Sequence, residues 1–516
     1  MKKITLPVSK SLFIRKLICN FLNEGCVGEI PAEAPADVKV VHEALMLVAG
    51  AVKNTPSGTE MPTGEESGVE PKNGVEDAAE SRIDKSQTME SAERLKGEPV
   101  VIDVHDCGAA YRFLMAVLAV TPGQWLLTGT ERLLQRPIEE LVQCLRSVGA
   151  DIQWISDDDN VISRGNVPRC ASDDDNVNSC RDALQHVSTN VKSGCWLIRG
   201  KNLHASDLTI DCHRSGQFAS ALLLIGEKIG LKNLHILPEN PPSLSYIEMT
   251  KAVVNGSVKL EAGHLADWSA AVYWYACLLL EGLMQRSNRS QLSSGTAFGD
   301  APASYKLLHL DLNSIQSDAV IARWFADWGI ESRQEEDGVV ITYKENLIKS
   351  RKVIELDVSQ NLDLVPVLAC MACLWPKKMI FNGVENLKYK ESNRLQIIQE
   401  QLSAFANIKV NMYRGVDDNQ LVIDPCRDAL QHVSTTNNGA NSGKDARPCV
   451  STICSNDPNC PGVDFVFDAH NDHRFVMGFS LFALCGKVRI NDFDSVKKSY
   501  PNFHAEGVVG GTDMVG

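Results

Sequence analysis

Lys10, Ser11 and Arg15 stand together in the stretch LPVSKSLFIRKL, Leu6 to Leu17. Two fixed positive charges and a hydroxyl within about a turn of each other can grip a phosphate or a carboxylate through charge-assisted hydrogen bonds. Taken alone, the same residues also read as the solvated start of a basic helix. The chain repeats the theme. DCGAAYRFL puts Arg112 just inside a helix after Gly108, where backbone amides can also face an anion. TGTERLLQRPIEEL sets Arg132 and Arg136 before Pro137, a proline suited to the first turn of the next helix. HRSGQFASALLL brings Ser215 and Gln217 to another helix start. KYKESNRL offers Lys390, Glu391 and Arg394, NDHRFVMGFS offers Asp472, His473 and Arg474, and KKSYPNF adds Lys497 and Lys498. Each cluster singly reads as surface charge. Their recurrence at helix starts points to convergence on a polyanionic ligand, because helix N-termini favour negative charge.

The elements that must carry these groups are legible in the hydrophobic periodicity. Short strand-like runs such as VVID, WLLTG, LTIDC, KVIELDV, KMIFNGV and KVRINDF alternate with helical patterns such as YRFLMAVLAV, IEELVQCLRSVG, QFASALLLIGEKIG, DAVIARWFADWGI and NRLQIIQEQLSAF. That alternation predicts an α/β architecture. No G-x-G-x-x-G and no Walker A loop follows any of the strands, so nucleotide-binding folds lack support.

Three polar segments, 53–98, 157–195 and 426–463, lack this periodicity and read as flexible insertions. The decamer CRDALQHVST occurs identically at 180–189 and 426–435, inside two of them. Two exact copies far apart resemble a duplicated piece of coding sequence more than a structural repeat.

At 516 residues the chain is long enough for two or more domains with sizeable cores. Its net charge of -14 argues against nucleic-acid binding over the whole surface. Eight of those charges fall in segments 53–98 and 157–195, which leaves the remainder free to hold a basic pocket. Lys10, Arg15 and Lys16 interrupt any signal-peptide core, and the apolar runs AAVYWYACLLL and LVPVLACMACLW fall short of the about 20 residues that span a bilayer. A cytoplasmic protein without membrane contact is expected. Of the 16 cysteines, Cys370 and Cys373 form a C-x-x-C inside an apolar run, where thiols behave as small hydrophobes. Cys449, Cys454 and Cys460 are irregularly spaced, so no metal site is expected.

The motifs LPVSKSLFIR, CGAAYRFL, LTGTERLLQRPIEELVQCLRSVGADI, SGQFASALL with SLSYIEMT, ADWSAA, LDLVPVLA, KYKESNRL, NDHR and KKSYPNF stand in the order and approximate spacing of one family. The chain resembles the 5-enolpyruvylshikimate-3-phosphate synthases (3-phosphoshikimate 1-carboxyvinyltransferases) over nearly all of the residues outside the insertions. The resemblance implies two similar lobes, each of three βαβαββ units, an inside-out α/β barrel. Residues 1–13 with 266–516 would form one lobe and 14–265 the other, with a cleft that closes on substrate. It implies transfer of the enolpyruvyl group of phosphoenolpyruvate to the 5-hydroxyl of shikimate 3-phosphate, with release of phosphate and no metal or organic cofactor. A monomer acting on these two small molecules is expected.

The same resemblance implies the site. Lys10, Ser11, Arg15, Ser215, Gln217, Ser243, Tyr246, Asp363, Asn386 and Lys390 match the shikimate 3-phosphate side. Lys10, Gly108, Arg112, Arg136, Gln217, Arg394, Arg474 and Lys498 match the phosphoenolpyruvate side. Asp363 and Glu391, assisted by Lys10, match the groups that move protons. Glu391, set among cations, needs desolvation to serve as an acid. The chain departs from the family pattern at Val8 for Gly, at Asp106 and Cys107, at Ala109 for Thr, at Gly216 for Ser and at Asn393 for an acid. Two other readings stay open: an anion-binding homologue that no longer catalyses, and an enolpyruvyl transferase acting on UDP-N-acetylglucosamine.

Overall fold

The computed structural model of the chain describes residues 1–54, 99–155, 194–258, 265–291, 304–349, 352–411, 419–426 and 465–504. The three polar segments named above lie almost wholly outside these residues, as do both copies of the decamer apart from Cys426.

Strand and helix alternate as the periodicity predicts. The strand Asp207–Asp211 buries Leu208 and Ile210 and exposes the residues between them, the two-residue period of a half-covered sheet. The helix Gly108–Val120 is apolar nearly all round and accordingly lies within the core. Its N-cap is Cys107, whose sulfur accepts from Ala110 N at 3.4 Å. The runs AAVYWYACLLL and LVPVLACMACLW lie in helices Trp268–Gln291 and Val365–Leu374, and both pack inside the protein. Cys370 and Cys373 are buried there as apolar side chains. Among the described residues no helix is long and apolar enough to cross a membrane.

Among the described residues three four-stranded sheets share one plan: a parallel pair extended by two antiparallel strands. In spatial order they are Lys2–Thr5, Ser304–Leu308, Gly338–Tyr343 and Ile330–Glu335; Val353–Asp357, Lys378–Asn382, Gln420–Pro425 and Ala406–Asn411; and Val100–Asp103, Gly123–Thr128, Cys195–Gly200 and Asp151–Ile155. Two further sheets are parallel pairs, Asp207–Asp211 with Asn233–Leu237 and Phe465–Asp468 with Val488–Asn491.

Two cores result. One gathers Ile4 and Leu6 with residues from Ala266 to Phe503, and the other gathers residues from Leu12 to Leu265. The chain passes between them twice, side by side. Val8 bridges Ala266, Asp267 N donates to Pro7 O at 2.9 Å, and Ser9 N donates to Leu265 O at 2.5 Å. Because Lys10 begins the helix that leaves this crossing, it is placed between the cores by the backbone itself.

Candidate active site

Helices with Lys10, Gly108, Gln217, Arg394 and His473 as their first residues begin where the cores face each other. The positive ends of their macrodipoles therefore gather in one region. The cleft between them is lined by Lys10, Ser11, Arg15, Gly108, Arg112, Arg136, Ser215, Gln217, Ser243, Tyr246, Asp363, Asn386, Lys390 and Glu391. Residues scattered over nearly four hundred positions of sequence thus meet in one cleft.

Behind this lining lies Arg394, which is fully buried. Its Nη1 donates to Asp363 Oδ1 at 2.8 Å, its Nη2 to Glu391 Oε2 at 2.8 Å and its Nε to Asp472 Oδ2 at 2.8 Å. One guanidinium so fixes three carboxylates, a use of its planar fork that a lysine cannot copy. Asp472 also accepts from Ser392 Oγ at 2.8 Å and caps the His473–Ser480 helix through Arg474 N at 3.0 Å. Lys390 reaches Asp363 at 3.3 Å, and Arg474 lies 4.0 Å from its other oxygen.

Burial raises the proton affinity of Glu391, but Arg394, Arg136 and Lys10 outweigh it and hold this carboxyl well below its ordinary range. Asp363 follows the same pattern, its burial overcome by Lys390, Arg394 and Arg474. For Lys10, burial favours the neutral amine, yet Asp37 and Glu391 prevail and raise it, so the ammonium persists. Lys10 also pairs with Asp37 at 3.0 Å. His473 is buried beside Lys10 and Arg474, with both ring nitrogens lacking a hydrogen-bond partner among the described residues. Burial first, and then these cations, push it well below its ordinary value, which leaves a neutral imidazole.

The other arginines divide by task. Arg15 is used up by the protein: Nε donates to Thr250 Oγ1 at 2.7 Å, Nη1 to Ser11 O at 2.8 Å and Nη2 to Tyr246 O at 3.3 Å. Burial lowers it to about 10. Arg112 donates to Gln217 Oε1 at 2.8 Å and to Pro137 O at 2.9 Å, tying three segments together. Burial and the neighbouring Arg136 lower it to about 9, the mark of positive charges packed without enough counter-charge. Arg136 Nε and Arg474 Nε and Nη1 are buried with no partner among the described residues. Buried donors of this kind are rare unless a ligand completes them.

Gly108 and Gly216 are explained by close approach. A Cβ on Gly108 would lie 2.8 Å from Arg136 Cζ, so the guanidinium rests on the glycine. A Cβ on Gly216 would lie 2.8 Å from Pro242 O, so the turn ending at Ser243 closes over a position that has no side chain. Asn393, another departure, caps the Arg394–Leu402 helix through Gln396 N at 3.4 Å.

Arg394, Arg474 and Lys498 do not themselves line the open space. The first two sit directly behind Asp363. Lys498 is turned onto Asn471 O at 2.8 Å and onto the carboxylate of Asp106. Sequence reasoning passed over Asp37 and Arg214, both cleft-lining. Arg214, beside Ser215, is held by Glu140 at 2.6 Å and Glu139 at 3.3 Å. Its place in HRSGQ was a usable signal. Asp37 gave none, since an acid in the first turn of a helix is ordinary.

Mixed parallel and antiparallel sheets on two cores, with helix N-termini lining a cationic cleft, have the form of the enolpyruvyl transferase fold. An EPSP synthase structure from Acinetobacter baumannii shares the fold, with a TM-score of 0.51 and 17% identity over 98% of this chain and 94% of that one. The family model for EPSP synthase (3-phosphoshikimate 1-carboxyvinyltransferase) matches residues 74–165, 302–420 and 462–506. A 3-phosphoshikimate 1-carboxyvinyltransferase of Dehalococcoides mccartyi is 25% identical over 77% of this chain and 76% of its own length. The protein of that name from Methanosphaerula palustris is 24% identical over 98% of this chain and 96% of its own. The chain thus resembles the EPSP synthases in sequence as well as in fold.

Proposed function

We propose that the protein transfers the enolpyruvyl group of phosphoenolpyruvate to the 5-hydroxyl of shikimate 3-phosphate, with residues 1–13 and 266–516 as one lobe and 14–265 as the other. The observation that carries this reading is the set of buried guanidinium donors on Arg136 and Arg474 without partners among the described residues, beside two carboxylates clamped by Arg394. Two polyanions must be held together, and fixed arginines supply both the attraction and the geometry.

On this reading Ser11, Ser215, Gln217, Ser243, Tyr246, Asn386 and Lys390 hold shikimate 3-phosphate. Arg112, Arg136, Arg394, Arg474 and Lys498 hold phosphoenolpyruvate against Gly108. Arg15 keeps the shikimate side in shape through Ser11 and Tyr246. Addition joins the 5-oxygen to C2 of phosphoenolpyruvate, moves the hydroxyl proton to Asp363 and delivers a proton to C3. Lys10 brings that proton, because it is the ammonium of the trio while Glu391 and Asp363 are ionised; Glu391 accepts it for relay as the dry cleft closes. Elimination returns a proton from C3 through Glu391 to Lys10 as the C2–O bond to phosphate breaks, and the departing phosphate takes the proton that Asp363 had accepted. The protein works as a cytoplasmic monomer on these small molecules.

Phosphate release is the test. Purified protein given both substrates should release phosphate, and omission of either should abolish it. Binding of shikimate 3-phosphate without release would mean a lapsed enzyme, and stimulation by UDP-N-acetylglucosamine would mean the sugar-nucleotide reaction.

A further inference from the structure

Lys498 belongs to the part of the chain that packs on the first core, and Asp106 to the part that packs on the second. Their side chains meet across the cleft margin, two residues before the helix that starts at Gly108. The lysine is mostly covered, 19% exposed, and the aspartate is 40% exposed. The same ammonium donates to Asn471 O at 2.8 Å, so both contacts hold it away from the open cleft. Lys10 is treated alike, with Asp37 against it at 3.0 Å. In both cases a carboxylate from residues 14–265 covers a cation that the proposed reaction needs. For Asp106 this carboxylate is also a departure from the family pattern.

The geometry points to Asp106 as a residue that sets the affinity for phosphoenolpyruvate by holding Lys498 in the free protein. The inference rests on the function proposed above. An incoming substrate anion must take Lys498 from Asp106, and the released carboxylate then remains beside the substrate's own negative charge. A partly exposed ion pair is weak enough to be displaced, so Asp106 tunes binding without blocking it. Shikimate 3-phosphate makes no use of Lys498, and the proton-moving groups surround Arg394, so neither its binding nor the chemical step depends on Asp106.

The test is steady-state phosphate release by Asp106→Asn, which keeps the shape and removes the charge. The KM for phosphoenolpyruvate should fall about two- to fivefold, the scale of a partly exposed pair, with kcat and the KM for shikimate 3-phosphate unchanged within experimental error. Asp106→Glu, which keeps the charge, should behave as the wild type. In a Lys498→Ala background the same Asp106→Asn change should lose most of its effect. An unchanged or raised KM for phosphoenolpyruvate, or an equal fall in both KM values, would overturn the assignment while leaving the proposed reaction in place. If the wild type releases no phosphate, calorimetric binding of phosphoenolpyruvate with shikimate 3-phosphate present takes the place of KM. Tighter binding by Asp106→Asn would then uphold the assignment as the proposed reaction fell. Equal binding, or none by either protein, would overturn the assignment.

Discussion

Glu391 and Asp363 share one guanidinium, and this makes their roles separable from binding. Both are ionised in the free protein because Arg394 and nearby cations outweigh burial. Glu391→Gln keeps the size of the side chain and loses proton traffic. It should bind shikimate 3-phosphate normally while kcat drops about 10²- to 10⁴-fold. Asp363→Ala should lose turnover by a similar factor; near-normal turnover in either variant would remove that residue from the chemistry. Gly108→Ala drives a methyl group into the Arg136 guanidinium, which has to shift. The KM for phosphoenolpyruvate should rise about tenfold, the effect of a misplaced charged hydrogen bond, with the KM for shikimate 3-phosphate little changed. The residue types of the site were legible because Lys, Arg, Ser and Gln recur at helix starts. Their partners were not. Nothing local says that Arg15 spends its donors on Thr250 and Tyr246, or that Gly216 lacks a hydroxyl because Pro242 O lies over it, since those contacts join residues far apart in the chain.

At the scale of elements, the site depends on how a few short helices are pinned. Asp472 serves as cap of the His473–Ser480 helix and as counter-ion of Arg394, with no exposed surface of its own. Asp472→Ala leaves the buried Nε of Arg394 without its acceptor and the helix uncapped, and should cost about 2–4 kcal/mol of stability in denaturant unfolding. Asp472→Asn retains an acceptor for the cap and should cost less; equal, small losses in both would show that the pair contributes little. Asp318, in the short turn Ser317–Ala319, accepts from Asn361 at 2.9 Å, just before Asp363. Burial first, and then Asp363, raise it from 3.8 to about 6. A carboxyl raised by folding is protonated in both states below pH 4 and costs stability once it must ionise. The native protein should therefore lose stability as pH rises from about 4 to 6. Asp318→Asn should flatten that loss and gain about 2–3 kcal/mol at pH 7. Unfolding titrations at pH 4 and 7 compare the two proteins, and an unchanged difference between those pH values would exclude Asp318 as its source. The helices and strands themselves followed from periodicity, but the sheet order did not. Lys2–Thr5 pairs in parallel with Ser304–Leu308, and no local pattern carries a register across three hundred residues.

Over the whole molecule, a chain of net charge -14 concentrates positive charge where its two cores meet. Among the residues that line the cleft, Lys10, Arg15, Arg112, Arg136, Arg214 and Lys390 outnumber the carboxylates of Asp37, Asp363 and Glu391. Focusing between low-dielectric walls lets such a cleft draw anions despite the acidic surface. The cleft encloses about 100 Å³, less than the roughly 300–1,000 Å³ of ordinary small-molecule sites. The two side-by-side crossings at Val8 and Ala266 are the connections about which a widening of the cleft for substrate would turn. Mutual repulsion among the buried cations is relieved when anions arrive, so ligand binding should stabilise the fold as well as close it. At about 100 times its Kd, shikimate 3-phosphate adds roughly 2.7 kcal/mol by mass action, and phosphoenolpyruvate acts in the same sense. For a protein of this size the melting temperature should rise by up to a few degrees. Shikimate without its phosphate should give a smaller shift at equal concentration, and added salt should weaken the response as it screens the approach. A shift of the same size with sulfate alone would mean a generic anion site. No shift with either substrate would mean that the uncompensated guanidinium groups are not waiting for these ligands.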